Sequence, residues 1–300
     1  MRRIVHGENL QVLGTLPDGF ARLLYIDPPF NTGRQQKRDR MSVRQVPAAT
    51  EVVAPQVRES SPPTQRSGFG GRRYVVSERT ASPSYADTFD DYVGFLLPRI
   101  EASLRCLTDD ASIFVHLDPR EAHYVKVALD GLLGRDAFMN EIVWAYDYGG
   151  RSKKCWPKKH DTILWYARDP RRAVFRYDDI DRIPYMSPEL VGPAKAARGK
   201  TPTDVWWNTI VPTMSKEKTG YPTQKPMAIL NRIVRVHSDP GDVVLDFFAG
   251  SGTTGEAAAQ NGRGFVLVDE SAEAIATMKK RLGAHAPTVE SLRPSGAPRG

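Results

Sequence analysis

Residues 243–270, VVLDFFAGSGTTGEAAAQNGRGFVLVDE, contain the alternation of elements that decides the fold. An apolar run ends at Asp246, and after a glycine turn and a run of small residues a second apolar run ends at Asp269. Short apolar runs bounded by turn residues are typical of strands covered on both faces of a parallel sheet. The stretch therefore predicts a strand, a glycine turn, a helix and a second strand of an α/β fold.

The same alternation extends over most of the chain. Apolar runs that indicate strands lie at 3–6, 23–26, 111–118, 140–146 and 160–168, and periodic apolar positions that indicate helices lie at 89–107, 121–134 and 225–238. Strands that alternate with helices imply a doubly wound, mostly parallel sheet. The predicted fold class is therefore α/β with a doubly wound sheet.

The glycine turn is a candidate ligand-binding site. Gly250 and Gly252 let the backbone approach a ligand closely, and the helix that follows offers free N–H groups at its amino end. Asp269 follows Gly250 by about 19 residues, where an acid can bind ribose hydroxyls. No lysine follows the glycines, which excludes a P-loop. A tight packing turn would give the same glycines, and the local pattern does not separate NAD from S-adenosylmethionine.

A second unusual stretch is LLYIDPPFNTG, residues 23–33. Its four apolar or aromatic residues predict a buried strand that stops at Asp27, Pro28 and Pro29. Neither proline can donate to a strand ladder or continue into a helix. An acid, a rigid corner and the aromatic Phe30 thus stand at the end of a buried strand.

Together these stretches resemble the β-class DNA amino-methyltransferases, which transfer a methyl group from S-adenosylmethionine. YIDPPFNTG (25–33) is similar to their catalytic motif, LDFFAGSGTT (245–254) to their cofactor motif and GFVLVDE (264–270) to their ribose-binding strand. YPTQKP (221–226) resembles the segment before the cofactor motif, and IVHGENLQVL (4–13) lies where the family usually has Gly-Asp, here Gly-Glu. The catalytic motif comes first and the cofactor motif last, which is the order of the β class. The resemblance covers residues 1–280 except 34–82.

The resemblance implies a Rossmann-like sheet with one antiparallel strand, a permuted motif order and an inserted basic target-recognition segment. It also implies S-adenosylmethionine as the cofactor. The implied cofactor-binding residues are Glu8, Lys225, Asp246, Phe248, Ala249, Gly250, Gly252, Thr253 and Asp269.

The catalytic residues implied by the motif are Asp27, Pro28, Pro29 and Phe30. The exocyclic amine of a base is a poor nucleophile because its lone pair is delocalised into the ring. Asp27 can accept one amine hydrogen and the Pro28 carbonyl, fixed by the Pro-Pro corner, the other, which frees the lone pair. Phe30 would stack on a target base that has left the duplex.

Several substrates remain open. Family members with Asp at the first motif position usually act on N6 of adenine, which we favour, whereas N4-cytosine enzymes often have Ser. More distant alternatives are an RNA methyltransferase, a protein-glutamine methyltransferase, which more often has Asn before Pro-Pro, and a nucleic-acid-binding protein without catalysis. The intact Asp27 and glycine turn speak against the last of these.

Basic residues are concentrated in two segments. Residues 34–82 carry ten Lys and Arg against four Asp and Glu, and residues 151–220 carry fifteen against eight. Because the whole chain has a net charge of +7, these segments, at +6 and +7, leave −6 for the remainder. An acidic body with basic insertions is typical of a catalytic core with polyanion-binding parts. The partner predicted from this distribution and from the resemblance is double-stranded DNA.

Charge and composition also predict the domain boundaries. Few periodic positions and many Pro, Ser, Gly, Gln and Arg residues indicate a long basic mobile loop at 34–82. The other predicted parts are a catalytic half at 1–33 and 83–150, a target-recognition segment at 151–220, a cofactor half at 221–284 and a loose tail at 285–300. The candidate DNA-binding residues are Arg34, Lys37, Arg38, Arg151, Lys153, Lys154, Trp156, Lys158 and Lys159, with Arg40, Tyr146 and Tyr148 beside them.

The remaining expectations concern what the chain lacks. Neither Cys106 nor Cys155 has metal spacing or follows a proline, which argues against a disulfide framework and against methylation of a ring carbon. We expect Cys106, Trp206 and Trp207 to be core residues and no metal to bind. We also expect a cytoplasmic bacterial or archaeal protein that is associated with the nucleoid and has no membrane span. Related enzymes are often dimers, and a cognate restriction endonuclease is a further partner implied by the family.

Overall fold

The computed structural model describes residues 1–30, 34–36, 42–46, 64–67, 73–77, 85–87, 89–212 and 215–292. The chain divides into two compact units, Met1–Phe30 with Asp90–Gly300, and Asn31–Phe89. Among the described residues, no helix has the length and apolar character needed to cross a membrane.

The larger unit consists of alternating strands and helices. Its strands are β1 (Arg2–His6), β2 (Ala21–Ile26), β8 (Leu107–Leu117), β9 (Phe138–Ala145), β10 (His160–Ala167), β11 (Val205–Trp207), β12 (Val243–Asp246), β13 (Gly264–Asp269) and β14 (Thr288–Ser291). Its helices are α1 (Asn9–Thr15), α2 (Tyr92–Leu104), α3 (Ala122–Leu133), α4 (Pro193–Arg198), α5 (Met227–His237), α6 (Thr253–Gln260) and α7 (Ala272–Leu282). Short 3-10 helices lie at Arg135–Ala137, Tyr177–Asp179, Pro188–Leu190 and Gly283–His285.

These nine strands form one sheet in the order β11-β9-β10-β8-β2-β12-β13-β1-β14. Strand β10 runs antiparallel to β8 and to β9, and every other pair of neighbours is parallel. The predicted α/β class, with a mostly parallel sheet and one antiparallel strand, is confirmed. The permuted order is visible as well, because β2, from the start of the chain, pairs with β12, from near its end.

The central strands have continuous apolar sequences because they are buried on both faces. Leu23, Leu24, Tyr25 and Ile26 of β2 are all buried, because helices cover both faces of the sheet at its centre. Helix boundaries also follow local signals. Helix α3 ends before Gly134, which has a φ of +88° and so takes the left-handed region that favours glycine.

The sequence prediction of a loose tail at 285–300 is wrong for residues 288–291. These residues form β14, which pairs in parallel with β1, and Arg3 holds Glu290 at 2.8 Å. The four side chains of β14 are exposed, so the strand is held by its backbone ladder and an ion pair and leaves no apolar pattern to detect. Residues 293–300 lie outside the described part of the chain.

The smaller unit has strands in the segment 34–82, which the sequence predicts as a long basic mobile loop. It contains β3 (Arg34–Gln36), β4 (Ser42–Val46), β5 (Thr64–Ser67), β6 (Arg73–Ser77) and β7 (Tyr85–Asp87). Strands β3 and β7 pair antiparallel, and β6 lies antiparallel between β4 and β5. Valines and Tyr74 in SVRQV and RYVVS supply strand propensity that the polar, proline-rich surroundings obscured.

Candidate active site at the ends of the central strands

The two sequence motifs meet at one edge of the sheet. Strand β2 ends at Ile26, directly before Asp27, and its neighbour β12 ends at Asp246. The register pairs Leu23 with Val244, so the carboxyl ends of both strands open on the same edge. Ligands of open α/β sheets bind outside the carboxyl ends of the strands. The sheet thus brings the DPPF corner and the glycine turn together, although roughly 220 residues separate them.

Asp27 is paired with a lysine. Lys225 Nζ lies 2.5 Å from Asp27 Oδ2 and 4.5 Å from the centroid of the Phe30 ring. Asp27 Oδ1 is buried and has no hydrogen-bond partner among the described residues. A buried polar atom without a partner is costly and points to a function or a missing ligand. One oxygen of Asp27 is therefore held by the protein, and the other is available to an incoming donor.

A buried chain of polar side chains supports this corner. The Tyr25 hydroxyl is 2.7 Å from His116 Nδ1, and His116 Nε2 is 3.1 Å from Asp161 Oδ2. The Tyr146 hydroxyl donates to Asp161 Oδ1 at 3.0 Å. The ring of His116 lies 5.8 Å from that of Phe30, between centroids. Through His116, the network therefore packs against the ring of Phe30, the aromatic residue of the motif.

The charges of this network follow from burial and pairing. Burial raises the pKa of Tyr25 well above its ordinary value, and the nearby Asp27 raises it further. Burial also acts to raise the pKa of Asp161, but the hydrogen bond from His116 and the positive charge of Lys225 outweigh it, and the pKa is lowered. Asp161 is therefore an anion at neutral pH, and Tyr25 remains a neutral hydroxyl.

The glycine turn is shaped by two acids. Asp246 accepts the Phe248 N–H at 3.0 Å and the Thr254 hydroxyl at 2.7 Å, and its complete burial raises its pKa to about 7. Asp269 accepts the Gly250 N–H at 2.8 Å through Oδ2, and the Ser271 N–H at 2.8 Å through Oδ1. Burial raises the pKa of Asp269 as well. Asp246 therefore bonds to residues on both sides of the turn, Phe248 and Thr254. Asp269, at the end of β13, bonds to Gly250 within the turn.

The glycines of the turn have separate roles. A Cβ at Gly252 would lie 2.8 Å from Met278, and one at Gly255 would lie 2.5 Å from Leu267, so both are needed for packing. Gly250 has a φ of +47°, and a Cβ there would face Tyr221 at 3.2 Å. The packing interpretation therefore explains Gly252 and Gly255, whereas Gly250 lies where the turn faces Tyr221 of the YPTQKP segment.

Other predicted cofactor residues also have structural contacts. Glu8 caps α1 by accepting the Gln11 N–H at 3.0 Å and pairs with Arg99 at 3.0 Å. Thr253 is buried and accepts a hydrogen bond from Arg281 at 2.9 Å. Ala249 is buried beside the turn, and the ring of Phe248 lies 6.0 Å from that of Phe95. Contact of these residues with a cofactor remains a prediction.

The structure places Lys225 in a position that the sequence did not indicate. The family resemblance assigns it to the cofactor, but here it lies just ahead of Pro226, the N-cap of α5, and contacts Asp27. His116 and Asp161 were not singled out by the sequence at all. Each is a titratable residue in the buried part of its strand, next to a run of apolar residues, and that position was the available signal.

The segment 151–158 offers an exposed basic surface. Arg151, Lys153, Lys154 and Lys158 are exposed, and Trp156 is 93% exposed. Arg151 is ion-paired with Asp147 at 2.7 Å. Lys159 instead donates to the carbonyl of Gly149 at 3.0 Å and to that of Tyr148, so it closes the base of this loop. Arg34 belongs to β3, and Lys37, Arg38 and Arg40 lie outside the described residues.

The two neighbouring tryptophans differ. Trp206 is 8% exposed and belongs to the core, as expected, but Trp207 is 74% exposed, so its prediction as a core residue is wrong. The reason is the strand alternation of β11, which turns successive side chains to opposite faces. Trp207 pairs in register with Ala145, which directly precedes Tyr146.

Cysteines and histidines fill structural positions. Cys106 is buried just after α2, as expected, and Cys155 is exposed, each as a free thiol. His237 is buried among Phe114, Trp165 and Phe175, where burial lowers its pKa to about 3. Within the described residues, no group of three or more His, Cys, Asp or Glu side chains is arranged to hold a metal ion.

Known proteins resemble this chain in sequence and in fold. The E. coli (strain K12) DNA adenine methyltransferase YhdJ is 26% identical over 289 residues, which cover 94% of this chain and 82% of YhdJ. The type II methyltransferase M.HpaI of Haemophilus parainfluenzae is 30% identical over 65% of this chain, and the match spans only 60% of M.HpaI. The crystal structure of the M1.HpyAVI-SAM complex superposes with a TM-score of 0.57 at 18% identity, covering 94% of this chain and 99% of that one.

The family itself is identified by a match over most of the chain. Residues 21–280 match the model of the N6/N4 methyltransferase family, described as DNA methylase. This range includes the DPPF corner, Lys225 and the glycine turn, the three features that the sheet brings together. The chain therefore belongs to the N6/N4 DNA methylase family.

Proposed function

We propose that this protein is an S-adenosylmethionine-dependent DNA methyltransferase that methylates N6 of an adenine flipped out of the duplex. The observation that carries the proposal is Asp27, whose buried Oδ1 has no partner among the described residues. Asp27 directly follows β2, which pairs with β12, the strand that leads into the glycine turn. Membership of the N6/N4 DNA methylase family and the name of YhdJ, a DNA adenine methyltransferase, support the same reaction.

The glycine turn fits the cofactor. Each oxygen of Asp269 accepts one backbone N–H, which leaves lone pairs for ribose hydroxyls. Gly250 leaves space beside Tyr221 that a side chain would fill. Asp269, Gly250 and Phe248 would hold the nucleoside part. When bound, S-adenosylmethionine supplies a methyl group on a positively charged sulfur, which keeps the electron pair of the carbon–sulfur bond as the methyl group moves to the amine.

Residues at the corner prepare the amine and take its proton. Asp27 Oδ1 accepts one amine hydrogen, and the Pro28 carbonyl accepts the other, so the nitrogen lone pair turns out of the ring plane. Phe30 stacks on the base. As the new nitrogen–carbon bond forms, one amine proton passes to the Asp27 carboxylate. Holding both reactants in this geometry supplies much of the acceleration.

N4 of cytosine is the alternative target. Both amines present two hydrogens to the same acceptors, and the family includes both activities by name. Aspartate at the first motif position favours adenine by resemblance. RNA, a protein glutamine side chain and binding without catalysis are more distant alternatives.

We extend the proposal to the partners and the location of the protein. Duplex DNA would lie on the exposed basic residues of 151–158, with phosphates on the cations and Trp156 against bases. A cognate restriction endonuclease, a homodimer, and a place at the nucleoid in a bacterial or archaeal cytoplasm remain predictions from the family.

Sequencing of native DNA tests the proposal directly. The full chain is expressed in a host without DNA methylation of its own, and the genomic DNA is read by single-molecule sequencing. We expect N6-methyladenine at one fixed sequence, and none with the matched variant Asp27→Ala. Methylcytosine at N4 would establish the alternative base. Unmodified DNA from a host that contains folded, cofactor-binding protein would refute DNA as the substrate.

A further inference from the structure

The positive charge of Lys225 lies in an unfavourable position, and Asp27 compensates it. Its side chain is only 9% exposed, and it precedes the amino end of α5, where the helix dipole disfavours a cation. A buried charge needs a partner of opposite sign. The partner present is Asp27, at 2.5 Å. The ammonium is therefore held in place by the residue on which the proposed reaction depends.

The two contacts of this ammonium are those required of the target amine. The proposed function needs an N–H donor on the Asp27 carboxylate and a group against the face of Phe30. Lys225 Nζ provides both, since it donates to Asp27 Oδ2 and lies 4.5 Å from the centroid of the Phe30 ring. A nitrogen therefore already lies on the Asp27 carboxylate, at the oxygen beside the Oδ1 that has no described partner, and against the ring face on which the base has to stack.

From these contacts we infer that Lys225 is a placeholder for the target amine, which binds the Asp27 carboxylate until a flipped base displaces it. The inference rests on the proposed function. Lys225 is thus a positioning residue that competes with the base for the carboxylate. A neutral base that forms only part of the required contacts gains too little to displace a charge-assisted hydrogen bond.

The displaced ammonium does not lose its electrostatic compensation. Asp161 is an anion close enough for the charge of Lys225 to lower its pKa. Both Asp161 oxygens already have hydrogen-bond partners, His116 and Tyr146, so in the base-free structure it does not hold Lys225 directly. Asp161 can nevertheless compensate the ammonium when Asp27 turns to the amine.

A second lysine provides a matched control. Lys126 donates to Asp130 at 2.7 Å and lies 4.3 Å from the centroid of the Phe138 ring, the same two contacts on α3, away from the motifs. Both lysines can be changed to methionine, which keeps an unbranched side chain, shorter by one atom, and removes the charge. An effect of the Lys225 change alone would arise at the site and not from the general loss of a lysine.

The test measures base flipping. A duplex that keeps the target adenine found by sequencing and carries 2-aminopurine directly beside it is titrated with the full chain without cofactor. The fluorescence of the 2-aminopurine, which rises when its stacked neighbour leaves the duplex, is followed. We expect Lys225→Met to bind and flip this duplex about tenfold to a hundredfold more tightly than wild type, the ratio that a hydrogen bond to a charged group represents. Lys225→Arg and Lys126→Met should resemble wild type. On a duplex with an abasic target position, all four proteins should bind equally.

Equal or weaker flipping by a folded Lys225→Met protein would overturn the inference, because Lys225 would then support the base and not compete with it. Thermal melting and cofactor titration establish that the variant is folded. If Asp27→Ala abolishes methylation but Lys225→Met flips no better, only the placeholder role fails. If Asp27→Ala still methylates DNA, the role assigned to Asp27 fails. If the wild-type protein leaves DNA unmodified, the proposed function itself fails.

Discussion

Two lysine–aspartate–phenylalanine clusters in this molecule have the same contacts but different consequences. At the site, Lys225 bonds Asp27 and faces Phe30; on α3, Lys126 bonds Asp130 and faces Phe138. The other oxygen of Asp130 accepts the Tyr166 hydroxyl at 2.8 Å, whereas the other oxygen of Asp27 is buried without a described partner.

The difference between the clusters distinguishes structure from function. Burial acts to raise the pKa of Asp130, but the hydrogen bonds from Lys126 and Tyr166 outweigh it and lower the pKa. Both oxygens of Asp130 therefore have a partner within the fold. Asp27 has an oxygen that the fold does not use, so a ligand can complete it.

The largest expected effect comes from truncating the two aspartates. Asp27→Ala should reduce methyl transfer by about a hundredfold or more, because a positioned charge at the reacting group is lost, and should leave S-adenosylmethionine binding intact. Asp130→Ala should keep full activity and lower the free energy of unfolding by about 1 kcal/mol. Methyl transfer from labelled cofactor, calorimetric titration and chemical denaturation measure these three quantities. Loss of cofactor binding in Asp27→Ala would contradict its assigned role.

Asp246 resembles Asp130, because both of its oxygens accept hydrogen bonds within the fold. Its contribution to the free energy of unfolding can be measured by varying the pH. Its pKa is about 7 in the folded protein against an ordinary 3.8, so the folded state binds the extra proton. Its contribution to stability is full below about pH 4 and is lost as the pH rises to about 7. We expect Asp246→Asn to remove this loss, at most about 4 kcal/mol. Denaturation of both proteins between pH 4 and 8 measures it, and parallel curves would be the contrary result.

The smallest expected effect concerns Asp269, which shares features with both Asp130 and Asp27. Each of its oxygens accepts one backbone N–H and retains capacity for a ligand. Asp269→Ala should weaken S-adenosylmethionine binding by about tenfold, the loss of one to two hydrogen bonds, with little change in the methylation rate at saturating cofactor. Calorimetric titration measures the affinity. An unchanged titration would refute the ribose contact.

The sequence was sufficient for features that are local or repetitive. The buried strand at 23–26, the glycine turn at Gly250 and the end of α3 at Gly134 are each specified by neighbouring residues. The one antiparallel strand was expected only from the family resemblance.

Features that depend on distant pairing were missed. The network of His116 and Asp161 requires β10 to lie beside β8, and the ion pair of Lys225 and Asp27 joins residues 198 positions apart. Strand β14 has no buried side chain, and the difference between Trp206 and Trp207 depends on which face of β11 meets the core. None of these leaves a periodic signal in the sequence.

The pairing of β2 with β12 also has a consequence for biosynthesis. Leu23 leaves the ribosome long before Val244, its partner in the sheet, so the centre of the sheet is incomplete until most of the chain exists. Contacts between residues so far apart close late and slowly. A nascent or truncated chain that carries Asp27 therefore has no place for a cofactor beside it.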